Sequence, residues 1–330
     1  MFNPFRFLMF WNAEVRQAKV ASVVLDDAQR KLLADYRLKK SPEEILKDTS
    51  LIGHLVRSPY KSDKERCADM TMLLVAGLDS TDYTISWIII EIAKHPDVQA
   101  KMKKEIGSIV TTDENITIKQ LNEMPYLDCV IKEGMRLWPV AAAGALRVTS
   151  KDIKYGAYNI PRGSTVHMPF YAIHRHGIQV STSTVQYNIY GTLPLVYKIN
   201  HSYLDGSHPH KIVSHLTSHI PSHFSFTLSS KSSFSFTSSF TSILQNPEGF
   251  DPERWAPDAV DAEKMKELYM PFALGKRNCV GQNLAKLEIK LILATLYKSF
   301  SFELTSEVVA DYFLTLKPVN AHMRVLSAKC

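Results

Sequence analysis

Cysteine is scarce and scattered. Cys67, Cys129, Cys279 and Cys330 lie far apart with no C-x-x-C pair, which argues against a disulfide framework or a zinc site and fits a reducing compartment better. Basic residues form no block. A formal charge of +6 spread along 330 residues reads as solvated faces, and nucleic acid is not an expected partner. The apolar opening Met1-Phe-Asn-Pro-Phe-Arg-Phe-Leu-Met-Phe-Trp11 contains Pro4 and Arg6 and is far shorter than the roughly 20 residues that cross a bilayer. It reads as domain interior, and no transmembrane segment is expected in this chain. What the chain does have is apolar content, 45% of its residues, enough to bury one large core or two smaller ones.

Helical periodicity dominates the first half. Ala13 to Lys40 interleaves charges with Val15, Val20, Val23, Val24, Leu25, Leu32 and Leu33. Ser41-Pro42-Glu-Glu is a cap with proline at the first helical position, opening a shorter helix towards Leu55. Ser62-Asp-Lys-Glu65 is a capping-box pattern and starts the longest helix, to about Lys94. Its middle, Ala76-Gly77-Leu78-Asp79-Ser80-Thr81, predicts a local distortion. Glycine in mid-helix costs about 1 kcal/mol relative to alanine, and a hydroxyl pair can bond back to the backbone. Pro96 opens a helix to about Val110, and Ile116 to Leu121 is a short connection. Pro125 opens another helix, carrying Glu133 and Arg136 on one face at i, i+3. Beyond Pro139, Gly156 and Pro161-Arg-Gly163 are turn signals between short strands.

The most informative stretch is Phe272-Ala-Leu-Gly-Lys-Arg-Asn-Cys279-Val-Gly281. A glycine-punctuated loop presents one cysteine just before a long apolar helix. Unpaired N–H groups and the positive end of the dipole stabilise a thiolate at a helix start, and Arg277 adds positive charge. The spacing F-x-x-G-x-R-x-C-x-G is matched at all five fixed positions, Phe272, Gly275, Arg277, Cys279 and Gly281. Here the sequence resembles the cytochrome P-450 family of haem-thiolate monooxygenases.

The resemblance implies a mainly α fold with a small β-sheet, and haem b as cofactor with Cys279 as axial ligand of the iron. Ala76 and Gly77 would form the oxygen groove on the distal helix. Asp79 and Ser80 would relay protons, with Ser80 where the family usually has threonine and Thr81 able to share the role. Glu133, Arg136 and Arg254, from E-x-x-R and from Phe250-Asp-Pro-Glu-Arg254-Trp255, would form a buried charge network that holds the cysteine loop in register. Arg147 and Arg277 would bind haem propionates, a match for guanidinium fork geometry, and Val140 to Ala145 would line the substrate side.

One stretch fits no part of that pattern. From Val180 to Gln245 serine, threonine, histidine and phenylalanine dominate, and Asp205 is the only acid. A metal loop built on His201, His208, His210, His215, His219 and His223 lacks acids, cysteines and ligand spacing. Translated intron is the preferred reading, implying a eukaryotic gene. Valine codons begin GT, Gln245 can be CAG, the Ser/Phe/Leu/Pro run can encode a pyrimidine tract, and excision joins Gln179 to Asn246 in frame. Such a segment is expected to be disordered. The organisation expected is thus a helical region over 1–179, an insertion over 180–245 and a haem-binding region over 246–330.

The reaction implied is insertion of one oxygen atom from dioxygen into an organic, lipophilic substrate. A flavoprotein reductase docking near Lys276 would supply electrons. A full-length member would sit on the cytosolic face of the endoplasmic reticulum membrane, which makes the glycosylation patterns Asn115-Ile-Thr117 and Asn200-His-Ser202 chance matches. The resemblance begins partway into the family fold, without the anchor, the first strands or the W-x-x-x-R helix. Two alternatives stay open: a non-catalytic remnant, and an oxygen-independent member that rearranges peroxides, against which Asp79-Ser80 speaks.

Overall fold

The computed structural model describes residues 13–112, 114–155, 158–176, 244–260, 262–312 and 314–327. The apolar opening to Trp11, the histidine cluster, Asn200 and most of the expected insertion lie outside them. Two compact units are formed, 1–79 and 80–330.

In the first unit, α1 (Ala13–Lys39) leads through α2 (Pro42–Lys47) and α3 (Leu51–Arg57) into α4 (Asp63–Lys94). Ser41 and Glu44 form a reciprocal capping box at α2, with bonds of 3.3 and 2.8 Å. The single helix expected from Pro42 towards Leu55 is divided at Asp48. The Asp48 carboxylate accepts from Lys40, from Tyr36 Oη at 2.6 Å and from the Ser50 amide at 2.7 Å, and these bonds hold its carboxyl well below the usual range. Ser50 then caps α3 by accepting from the Gly53 amide at 3.2 Å. At α4, Ser62 Oγ accepts from the Glu65 amide at 3.3 Å, while the Glu65 carboxylate reaches Lys61 N.

A second correction concerns the middle of α4. It runs as one helix from Asp63 to Lys94, straight through Ala76–Thr81. Thr84 Oγ1 bonds backwards here, to the Ser80 carbonyl at 2.7 Å. Such a bond is compatible with an intact ladder because a carbonyl has two lone pairs.

The core of the second unit surrounds α7 (Pro125–Leu137). Ile88 and Ile92 of α4, Met102 and Ile106 of α5 (Pro96–Ile109) and Leu293 and Tyr297 of α10 (Gln282–Ser299) pack around it, all fully buried. Gly134 allows α7 to approach α4, since a Cβ there would lie 2.5 Å from Ile88 Cγ1. In chain order α6 (Ile118–Asn122), capped by Thr117 and Gln120, lies between α5 and α7.

The strands pair as short antiparallel two-stranded sheets. β1 (Ala145–Val148) pairs with β4 (Thr165–Met168), and β2 (Ile153–Tyr155) with β3 (Tyr158–Ile160). Towards the C-terminus β5 (Phe300–Leu304) pairs with β8 (Met323–Ser327), and β6 (Val309–Tyr312) with β7 (Leu316–Val319). Two short helices, α8 (Phe170–His176) and α9 (Ala262–Leu268), complete the unit. The fold is mainly α with small antiparallel sheets.

Candidate functional site

The cysteine loop is built by its own backbone. Ala273 and Gly275 adopt positive φ, +57° and +76°, and a short 3₁₀ turn over Gly275–Arg277 closes as the Asn278 amide donates to the Gly275 carbonyl at 3.1 Å. The Cys279 amide donates to the Phe272 carbonyl at 2.8 Å, which shuts the loop. Phe272 packs on the main core with Lys286 Nζ 5.4 Å from its ring centroid. Gly281 is the N-cap of α10 and offers no side-chain cap, so the first amides of that helix face the cysteine end of the loop.

The Cys279 thiol is exposed, as are its apolar neighbours Leu274, Val280 and Leu284, 63%, 86% and 59% exposed. Open apolar surface around a soft sulfur donor suits a flat apolar group with a thiophilic metal better than it suits water. A Cβ at Gly275 would meet nothing within 4 Å. The donor set therefore fits an iron porphyrin: Cys279 to the metal and Leu274, Val280 and Phe272 beside it. Arg277 is exposed on the same loop.

Behind the loop lies an ion network with almost no exposure. Arg136 Nε and Nη2 donate to the two oxygens of Glu133 at 2.9 and 2.8 Å, a bidentate pair. Arg254 Nε adds a bond of 3.3 Å to Glu133 Oε1. The structure thus brings Glu133, Arg136 and Arg254 together, at 0%, 0% and 4% exposure. The carboxylate also accepts from Trp255 Nε1 at 2.9 Å and from the Asp251 amide at 3.0 Å. The two guanidiniums spend their other donors on carbonyls: Arg136 on His174, Pro247 and Gly249, Arg254 on Gln245 and Asn246.

These partners show what the network fastens directly: the end of α8 and the turn over 245–251. The link onward to the cysteine loop is His174, whose Nε2 accepts from the Met270 amide at 3.0 Å, together with the edge-on contact of Trp255 and Tyr269 at 4.5 Å. Neither His174 nor Trp255 was singled out from the sequence. The signal was present in their adjacency to Arg175 and Arg254, but nothing local says that a histidine will be buried. Of the two last residues read above as insertion, Leu244 is buried and Gln245 is exposed with its carbonyl accepting from Arg254. Leu244 is 3% exposed against Ile173, Met265 and Leu268.

The remaining expected residues lie on other elements. Ala76, Gly77 and Asp79 are exposed residues of α4 in the first unit, and Ser80 and Thr81 open the second, half-buried. Arg147 stands on β1 opposite Val166, exposed, and donates to the Leu146 carbonyl at 2.9 Å.

Comparison with known proteins places this geometry. The family model described as Cytochrome P450 matches residues 1–177 and 241–320, and the chain belongs to that family, whose cofactor is haem b. It is 30% identical over 246 residues to cytochrome P450 3A6 of Oryctolagus cuniculus, covering 74% of this chain and 36% of the relative. It is 28% identical over 244 residues to cytochrome P450 3A5 of Homo sapiens, covering 73% and 35%. Cytochrome P450 monooxygenase atr2 of Stereocaulon alpinum is 28% identical over 244 residues, covering 74% and 36%. The chain thus spans about a third of the length of these three relatives. In fold it is similar to the crystal structure of a cytochrome P450, CYP102L1, with a TM-score of 0.66 and 20% identity over 98% of this chain and 60% of that one.

Proposed function

We propose that the protein of which this chain is the haem-binding portion is a haem-thiolate monooxygenase that inserts one atom of dioxygen into a lipophilic organic substrate. The single observation carrying this is the exposed Cys279 thiol, framed by Leu274 and Val280 on a closed loop ahead of α10. When bound to such a thiolate, haem supplies oxygen activation, because the sulfur donates electron density that favours O–O cleavage.

The residues of the chain provide the setting. Cys279 would hold the metal, Arg277 and Arg147 would offer guanidiniums to carboxylates of the cofactor, and Leu274 and Val280 would shield the sulfur from water once the group is bound. Ala76 and Gly77 would leave room for dioxygen beside the cofactor, and Asp79 with Ser80 or Thr81 would hold and move protons there. Val140 to Ala145 face the substrate. Glu133, Arg136 and Arg254 position the loop indirectly, through His174. Electrons come from a flavoprotein reductase that meets the basic Lys276 side. The working location is the cytosolic face of the endoplasmic reticulum membrane. Among the described helices α4 alone is long and apolar enough to cross a bilayer; Trp87, Ile88, Ile90 and Ile92 towards its C-terminal end are buried within the second unit, while Met72, Leu74, Val75 and Leu78 are exposed.

The test is the reduced carbon monoxide spectrum of the chain expressed with haem supplied. A strongly red-shifted Soret band, lost in Cys279→His, supports the assignment. A histidine-type or absent band in the parent chain overturns it and favours a second reading, a remnant without turnover. That second reading draws on the stretch 178–240, which the family model passes over. We propose that the insertion Val180–Gln245, which overlaps this stretch, is translated intron. A mature transcript that runs from the codon of Gln179 directly to that of Asn246 supports that origin, and retention of the insertion in the dominant message defeats it.

A further inference from the structure

The indoles of Trp87 and Trp138 are stacked, with ring centroids 3.9 Å apart and planes 4° from parallel. Aromatic pairs in proteins ordinarily keep centroids about 4.5–7 Å apart and avoid direct overlap, because their quadrupoles repel. Two neutral rings gain little from so close an approach. A pair that has lost an electron gains more, since the charge is shared by overlap. The arrangement is held from both ends: Trp87 Nε1 donates to the Leu316 carbonyl at 3.0 Å, and Trp138 Nε1 to Glu91 Oε1 at 2.9 Å. Trp87 is 1% exposed and Glu91 5%.

The bond to Glu91 matters because oxidation changes what an indole N–H is. Neutral indole is a very weak acid; its radical cation is an acid of roughly carboxylic strength. A carboxylate already hydrogen-bonded to the nitrogen is therefore in place to take the proton. We propose that Trp87, Trp138 and Glu91 form a one-electron redox site in the protein matrix, served by a high-potential outer-sphere oxidant. The oxidant gains one electron from the stacked pair, the Nε1–H bond of Trp138 breaks, and the proton passes to Glu91 Oε1. A neutral Trp138 radical remains, stabilised by overlap with Trp87, until a one-electron donor and the same proton restore it.

The surrounding charges favour that outcome over a lasting cation. Glu91 also meets Lys94 Nζ at 3.0 Å and His95 Nδ1 at 3.9 Å. The Arg175 guanidinium lies 5.6 Å from the Trp138 centroid, itself paired with Glu248 at 2.9 Å. Positive groups beside Trp138 oppose a positive ring, and departure of the proton removes the conflict. Trp255 offers a contrast. Its Nε1 also donates to a carboxylate, Glu133, but two guanidiniums hold that carboxylate, and the aromatic neighbour Tyr269 meets the ring edge-on, at 65°. The site does not depend on whether Cys279 holds haem.

The test uses the whole chain and laser-generated tris(bipyridyl)ruthenium(III) as oxidant, with transient absorption and electron paramagnetic resonance as readouts. The parent chain is expected to give a neutral tryptophan radical whose formation slows in deuterated water. Trp138→Phe should abolish it and Trp255→Phe leave it unchanged. Trp87→Phe should lower its equilibrium yield about tenfold, equivalent to a rise of about 59 mV in potential. Glu91→Gln should leave the radical protonated. The solvent deuterium effect on the parent chain keeps the proton step testable should Glu91→Gln fail to fold. A radical on Trp255 or on tyrosine, or a yield indifferent to Trp87→Phe, overturns the proposal.

Discussion

His174 Nε2 accepts the backbone N–H of Met270 at 3.0 Å, and this one bond ties α8 to the segment entering the cysteine loop. The imidazole is fully buried beside two guanidiniums. Desolvation first, then the charges of Arg136 and Arg175, lower its pKa to about 3. An unfolded histidine titrates near 6.5, so between these values the unfolded chain binds a proton that the folded chain refuses. The stability from this group is therefore complete above about pH 6.5 and is lost as pH falls towards 3, by up to about 1.4 kcal/mol per pH unit. His174→Gln retains an acceptor for Met270 and removes the titration. Urea unfolding from pH 7 to 4 should show a shallower loss in the variant, and an unchanged slope would place the acid sensitivity elsewhere.

Glu133→Ala should be the most damaging single change in the ion network. It strands two guanidiniums, each at most 4% exposed, and costs about 3–5 kcal/mol. Glu253→Ala breaks a pair with Lys101 whose side chains are 58% and 52% exposed, and should cost no more than about 1 kcal/mol. Denaturant midpoints for the two variants measure the contrast. Comparable losses would mean that Glu133 is not the anchor its burial makes it.

How much of this was legible in the sequence depended on the range of the interaction. Proline at the first helical position and the Ser41 and Ser62 caps are local chemistry, and the helix starts at Pro42, Asp63, Pro96 and Pro125 agree with them. The cysteine loop was equally legible, because its glycines, arginine and cysteine act within ten residues. The division at Asp48 was not. It depends on Tyr36 and Lys40 reaching forward from α1, and no local propensity encodes that. The C-terminal strands drew no reading from the sequence, and their pairings span long separations, such as Phe302 with Val325. The indole stack required α4 and α7 to meet, at a crossing that Gly134 permits.

A cap supplied from another helix gives a third test. Met124 at the N-cap of α7 makes no side-chain bond, yet the first amides of the helix are satisfied, because Glu105 of α5 accepts from Tyr126 N at 2.8 Å and from Leu127 N at 2.9 Å. The carboxylate also faces the positive end of the α7 dipole. Glu105→Ala should cost about 1–2 kcal/mol, as loss of an ordinary cap does, and Glu105→Gln less. Thermal unfolding of the three chains would rank them in that order, and a neutral Glu105→Ala would show that water caps α7 as well as the carboxylate does.

Two glycines share a backbone conformation and differ in their surroundings, which separates strain from crowding. Gly144 and Gly275 both have φ +76°. A Cβ on Gly275 would meet nothing within 4 Å, so Gly275→Ala costs only the left-handed conformation, about 1–2 kcal/mol. A Cβ on Gly144 would lie 1.7 Å from the Met168 carbonyl oxygen, an overlap of backbone that no rotamer relieves. Gly144→Ala must therefore displace the turn after Ala143 and the β1–β4 pairing that follows it. Hydrogen exchange should show Ala145–Val148 losing protection in Gly144→Ala and keeping it in Gly275→Ala. Gly275→Ala should act on the cysteine loop alone, weakening haem retention while the melting temperature falls by a few degrees. If both changes disturb β1 alike, the left-handed conformation itself, and not the space around it, sets the requirement for glycine.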